Sequence, residues 1–233
     1  MSTAILIDGA YFIKRFRKIE PHNSYDSKRA SEFLFRCALA HLVEGVGGKE
    51  KKKHELYRIF FYDCPPLHKK LHNPITKSAV DFSKSQEAIF RNELHEYLKA
   101  KRKTALRLGH LSNETPWTIK PEKIDLMLKG KLKFEDLTGQ DVMPNVRQKG
   151  VDMRIAVDIS SLAMKHQVNQ IVLMAGDADF VPAAKMARRE GIDFIVDPMW
   201  GRILPNLLEH IDGLRSTCPK PKPNPNPVSA EVL

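Results

Sequence analysis

Four short runs of almost unbroken apolar residues punctuate the chain, at 4–7 (AILI), 56–62 (LYRIFFY), 171–175 (IVLMA) and 192–196 (IDFIV). They do not alternate between apolar and polar positions. Near-continuous apolar runs of this length are the mark of strands covered on both faces. A weaker fifth run stands at 106–111. Helical periodicity fills the spaces between them. Asp26 is placed to cap a helix with Ala30, Phe33, Leu34, Cys37, Ala38 and Leu42 on one stripe, stopping near Gly45. Ser85 is placed to cap a second, with Ile89, Phe90, Leu94, Tyr97 and Leu98 apolar. A third covers 151–165, with Val151, Ile155, Ile159, Leu162 and Ala163 recurring. A fourth covers 180–190 and stops at Gly191, and a short last one falls within 203–211. Strands alternating with helices at this spacing predict an α/β fold whose sheet is mainly parallel, with about five strands.

Two segments exceed a minimal α/β unit. Residues 49–53 (KEKKK) form a basic loop before the second strand. Residues 112–147 make a longer connection than usual, with a short helix of their own expected at 122–129. That stretch reads as an insertion over one face, where functional loops tend to lie. A single domain over 1–216 is expected, followed by a flexible Pro-rich tail at 217–233 (TCPKPKPNPNPVSAEVL).

Charge narrows the partners. The chain of 233 residues carries 38 Lys+Arg against 28 Asp+Glu, a formal net charge of +10, which favours a polyanion. No stretch approaches the ~20 apolar residues of a membrane span. The start, MSTAILIDGAYF, lacks the basic and apolar regions of a signal peptide. Cys37, Cys64 and Cys218 are odd in number and widely spaced, which fits a reducing compartment and a cytoplasmic location.

In a parallel sheet, ligands bind beyond the carboxyl ends of the strands, so the acids placed there carry the chemistry. The first strand ends in Asp8-Gly9, and the run 171–175 enters Gly176-Asp177-Ala178-Asp179. Asp152 opens the helix after Lys149-Gly150. Three separate segments thus supply four carboxylates to one end of the sheet. Such a cluster repels itself unless a cation lies between its members, and carboxylate oxygens suit Mg2+ or Mn2+ rather than zinc. Taken singly, Asp152 and Asp179 each have a plainer role as helix caps.

The segments AILIDGAY, RQKGVDMRIAVDI and IVLMAGDADFVPAAKMARREG together resemble the NYN domain of the PIN-like nuclease superfamily, and within it the LabA-like branch. The resemblance implies a three-layer Rossmann-like (PIN-like) sandwich with helices on both faces of the sheet. It further implies a metal-dependent ribonuclease with Asp8, Asp152, Asp177 and Asp179 as its catalytic and metal-binding site, RNA as substrate and a 5′-phosphate product. Asp158 matches a further acidic position of the second motif. Six residues beyond Asp152, it stands about 240° round the helix, which suits a supporting role. Where many relatives carry Asn, three residues after the first Asp, this chain has Tyr11. That difference keeps a second reading open, an RNA-binding or regulatory module with weak or no turnover. A haloacid-dehalogenase type of phosphatase would need an Asp two residues after Asp8, where Ala10 stands.

Bases near the acids are candidates for gripping phosphate: Lys149, Arg154, Arg147, Lys14 and Arg15. Residues 66–107 add ten Lys/Arg against four acids, a local +6, with Phe82, Tyr97 and Trp117 as stacking faces. Asp63 ends the second strand and is a further candidate. His68 and His72 would suit zinc only on a helix with a third ligand nearby; Pro65, Pro66 and Pro74 bracket them and none is evident. Self-association is left open, with no signature for it.

Overall fold

The computed structural model describes residues 1–46, 50–112, 114 and 116–222. Six strands form the central sheet: β1 (Ser2–Asp8), β2 (Glu55–Asp63), β3 (Thr104–Leu108), β4 (Gln170–Met174), β5 (Asp193–Val196) and β6 (Gly213–Leu214). Their order is β6-β5-β4-β1-β2-β3, and every adjacent pair is parallel. This is an α/β sandwich of Rossmann-like topology. The order reverses beside β1, so β1 leads to β2 on one side and lies against β4 on the other. That reversal opens a crevice at the carboxyl ends of β1 and β4.

Side-chain alternation along each strand divides the core in two. Ala4 and Leu6 of β1, Phe60 and Tyr62 of β2, and Ile171 and Leu173 of β4 face one layer. That layer holds α4 (Val151–Met164) and α5 (Val181–Arg189), through Ile155, Ile159, Ala183 and Ala187 among others. Ile5, Ile7, Ile59, Phe61, Val172 and Met174 face the opposite way. There α1 (Gly9–Ile19), α2 (Ser27–Ala40) and α3 (Gln86–Lys99) cover them with Phe12, Phe16, Phe33, Leu34, Phe90 and Leu94. Residues 4–7 are fully buried because both faces are covered, which is why the run reads as unbroken.

The expected caps form: Asp26 accepts from Arg29 N at 2.8 Å and Ser85 Oγ from Ala88 N at 3.2 Å. Other expectations need correction. Helix α2 ends at Ala40, and Val43–Val46 then pairs antiparallel with Glu50–Lys53, so the basic stretch is a strand where a loop was expected; Lys49 lies outside the described residues. Ile89 and Tyr97 are exposed while Ala88 and His95 take the inward positions on α3. The run at 106–111 divides: β3 stops at Leu108, and His110–Leu111 pairs antiparallel with Gln148–Lys149. The sixth strand was not foreseen, since two residues are too few for periodicity.

That last pairing closes the base of the 112–147 insertion, bringing residue 148 back beside the end of β3. Within the insertion, Trp117–Ile119 pairs with Val142–Pro144, and a helix spans Pro121–Leu128. A hairpin of Lys70–His72 with Ala79–Asp81 packs against it, where Asn73 Nδ2 donates to Gly139 O at 2.8 Å. Beyond β6 the chain is still anchored at the expected start of the tail. Thr217 Oγ1 donates to Cys37 O at 2.8 Å, and Cys218 is buried in the α1–α3 layer. No described helix is long and apolar enough to cross a membrane.

Gly9 marks the tightest approach of α1 to the sheet. A Cβ there would lie 2.6 Å from Tyr62 O and 2.8 Å from Phe61 Cζ. Gly9→Ala is therefore expected to cost about 1–3 kcal/mol through overpacking. Urea unfolding should show a lower midpoint with an unchanged slope; an unchanged midpoint would refute the close approach.

Candidate active site

Three of the strand and helix ends at the crevice carry four acids, and these differ in what holds them. Asp8 ends β1 and caps α1: its Oδ1 accepts from Tyr11 N at 3.1 Å. Asp177 follows β4 and caps a short 3-10 turn, Ala178–Phe180, accepting from Asp179 N at 3.1 Å. Asp179 sits in the first turn of that element. Asp152 lies in the first turn of α4, whose N-cap is Gly150 at φ +79°, a left-handed turn that favours glycine. The capping roles expected of Asp152 and Asp179 are not formed, because Gly150 and Phe180 occupy the N-cap positions of their helices; the acids that cap are Asp8 and Asp177. They use one oxygen of each carboxylate.

Among the described residues, none of these four acids forms an ion pair with Lys, Arg or His. They interact with each other instead. Burial, opposed by the Tyr11 amide and reinforced by the charge of Asp152, pushes the Asp8 carboxyl up to about 6. Partial burial and the charges of Asp177 and Asp179 hold Asp152 above the usual carboxylate range. Asp152 thus feels the charges of Asp177 and Asp179, and Asp8 feels that of Asp152.

Other strand-end acids are neutralised, and the contrast is informative. Asp63, at the end of β2, is fully buried and paired with Arg91 and with His95 Nε2 at 2.9 Å. Arg91 also holds Glu87 at 2.6 Å, and Glu87 holds Arg17 at 2.6 Å. Asp197, just past β5, is fully buried with His41 Nε2 at 2.8 Å and Met199 N at 2.6 Å. The sequence signal for Asp197 was the same as for Asp8, an acid ending an apolar run. The partners of Asp63 are spaced i and i+4 on α3, a readable clue that the apolar pattern of α3 overshadowed.

Several expected supporting residues stand elsewhere. Asp158 accepts from Tyr62 Oη at 2.8 Å and pairs with Arg107 at 3.3 Å, away from the acid group as its helical position requires. The Tyr11 hydroxyl donates to Pro198 O at 2.7 Å, and its ring lies against Gly176, where a Cβ would come within 2.7 Å of it. Tyr11 thus braces the turn after β4 against the 197–201 loop. Arg15, expected to grip phosphate, is instead buried and donates from Nε and Nη2 to Met199 O at 3.0 and 2.6 Å. Its charge holds the loop in which Met199 and Trp200 both take positive φ. Lys14, Arg147, Lys149 and Arg154 are exposed. His72 lies in a strand and His68 meets Asn92 at 3.1 Å, so the pair has no shared helical face.

No three His, Cys, Asp or Glu side chains among the described residues stand close enough to encage a metal ion. The four acids expected to ligate together therefore do not form a ready-made cage for any metal. Mg2+ is ordinarily held by one or two carboxylates with water completing its octahedron. An unpaired acid group of this kind fits such a hydrated hard cation. A surface depression of about 590 Å3 lies at the amino end of β5 beside Lys185 and Arg188, away from these acids in the fold.

The raised Asp8 has a consequence for metal-free protein. Folding favours its neutral form, so its stabilisation is complete below the unfolded carboxylate value near ~4 and is lost as pH rises through about 6. With chelator present, Asp8→Asn keeps the cap and should stabilise the fold at pH 8 by on the order of 2 kcal/mol. Denaturation curves should show that gain shrinking between pH 6 and 4; a gain independent of pH would contradict an ionised, unpaired Asp8.

Comparison with known proteins covers part of this site. An uncharacterized protein of Methanocaldococcus jannaschii is 29% identical over 81 residues, spanning 34% of each chain. The match therefore covers about a third of that relative's length. A protein of unknown function from Vibrio parahaemolyticus aligns in structure over 91% of this chain and 90% of its own, at 14% identity and a TM-score of 0.43. The NYN domain family matches residues 118–199, the segment that carries Asp152, Asp158, Asp177 and Asp179 but not Asp8.

Proposed function

We propose that the protein is a metal-dependent ribonuclease that hydrolyses phosphodiester bonds at the crevice between β1 and β4. The observation that carries this reading is a set of four carboxylates, linked through the charge of Asp152 and without an ion-pair partner among the described residues, at the reversal of strand order. NYN domains are generally nucleases that use divalent metals, and the match over 118–199 supports hydrolase chemistry and RNA as the substrate.

In this reading Asp8 and Asp177 would hold Mg2+ or Mn2+, and Asp152 and Asp179 would act on it through water. The bound ion supplies a Lewis acid that acidifies water and neutralises charge on the phosphate. Asp152, with its raised affinity for a proton, accepts the proton of the attacking water. Lys14, Arg147, Lys149 and Arg154 are exposed bases that position the RNA backbone from outside the acid group. Arg15 and Tyr11 act through the loops they hold.

One observation favours a second reading, a binding module with little turnover. Tyr11 replaces the Asn of many relatives, and its hydroxyl is already engaged by Pro198 O. It therefore cannot orient water or substrate as an Asn would.

A single assay separates the two. With Mn2+ and structured or single-stranded RNA, the protein should cleave. Asp177→Asn should lose at least about 100-fold in rate, as expected when charge stabilisation of the transition state is removed, while still binding RNA. Binding without cleavage at any Mn2+ concentration would support the second reading and overturn the first.

A further inference from the structure

Past the end of β2 lies a cavity of about 240 Å3 that the catalytic reading does not use. Its walls come from three places: Pro65 and Leu67 after β2, Phe82 before α3, and Pro144 and Val146 of the insertion. We propose that this cavity receives one unpaired nucleobase of the bound RNA, immediately beside the phosphate to be cut. The proposal rests on the ribonuclease reading and deepens it.

Position is the first argument. Cys64 lines the cavity and follows Asp63 on β2, the strand paired residue by residue with β1 as far as Asp8 opposite Tyr62. Gln148 lines it too, four residues before Asp152. Gly109 fixes that proximity: a Cβ there would meet Lys149 O at 2.6 Å and Cys64 Sγ at 3.0 Å. The cavity is therefore joined to Asp152 through the 148–152 segment and adjoins β2, the strand next to β1.

Size and chemistry select the occupant. At about 240 Å3 the cavity lies below the ~300 Å3 at which ordinary small-molecule sites begin, and it has room for one planar ring system. A protein partner needs a far larger complementary surface. The walls are mostly apolar, with an aromatic ring and proline rings suited to stacking, while Gln148 offers its amide to a base edge; Glu87, also in the wall, is held by Arg91 and Arg17. Exposed Lys84 and Arg147 stand next in sequence to the lining residues Ser85, Val146 and Gln148 and place positive charge at the rim of the cavity. An apolar slot on a basic rim suits a base whose own phosphates lie on that rim.

The wall is also built to keep its shape. Val142–Pro144 is a strand paired with Trp117–Ile119, and the Trp117 ring lies 6.0 Å from that of Phe82. Asn73 ties the neighbouring hairpin to Gly139. This gives the insertion a function: it supplies one side of a base pocket that a minimal α/β unit would lack.

The test uses the full chain carrying Asp177→Asn, with Mn2+, and a labelled single-stranded hexanucleotide RNA in which one abasic ribose is stepped along the sequence. Loss of the base at one position should weaken binding about tenfold, with the others near neutral. Val146→Trp, which fills the slot, should weaken the intact RNA by a similar factor and abolish the effect of that abasic position. Gln148→Ala, an exposed change, should flatten the ranking of the four bases there. A flat abasic profile overturns the pocket, as does full affinity in a Val146→Trp protein that is folded by circular dichroism. If Val146→Trp does not fold, the abasic profile with Gln148→Ala decides alone. Cleavage by the unsubstituted chain alongside a flat profile removes the pocket and leaves the ribonuclease reading standing. Neither binding nor cleavage removes both.

Discussion

Like charges brought together at a sheet edge must be neutralised, protonated or used. The parallel sheet of this protein reverses its strand order beside β1, and that reversal carries Asp8 and the Asp177 turn to one crevice. Helix α4 starts at the same end and adds Asp152. The resulting repulsion is visible in Asp8, whose carboxyl is pushed up to about 6 by burial and by the charge of Asp152. A buried carboxylate without a counter-charge is costly to keep. A proton and an external cation would each lower that cost.

The rest of the molecule shows that counter-charges were at hand where the fold called for them. Asp63 and Asp197 occupy comparable strand ends, yet each is met by its own partners, Arg91 and His95 for the first and His41 for the second. Arg15, close in sequence to Asp8, turns away to hold Met199 O. Tyr11 likewise gives its backbone N–H to Asp8 and its hydroxyl to the 197–201 loop. The crevice is framed by neutralised acids and braced loops, with the unpaired group at its centre.

Much of the fold was legible because buried strands and amphipathic helices leave strong periodic marks. The runs at 4–7, 56–62 and 171–175 became β1, β2 and β4, and Asp26 and Ser85 cap the helices they were expected to cap. Short pairings left no such mark. Gly213–Leu214 and His110–Leu111 have two residues each, and their partners are distant in sequence. For the acids, sequence indicated which residues end strands, but not which of those find a base. That depends on where side chains from other segments fall. Arg15 looked like a phosphate grip because it is basic and near Asp8; its burial against Met199 is a tertiary fact. The Trp117–Ile119 strand was hidden within a stretch legible only as an insertion.

The account stands most directly on whether a cation binds among these four acids. A crystal of the protein soaked in Mn2+ and measured for anomalous scattering answers this without relying on any activity. The account predicts a peak between Asp8 and Asp177, within about 2.0–2.5 Å of at least one carboxylate oxygen, with water completing the coordination. A fully soaked crystal with no peak there, and each acid turned to a neighbouring Lys or Arg, would contradict it.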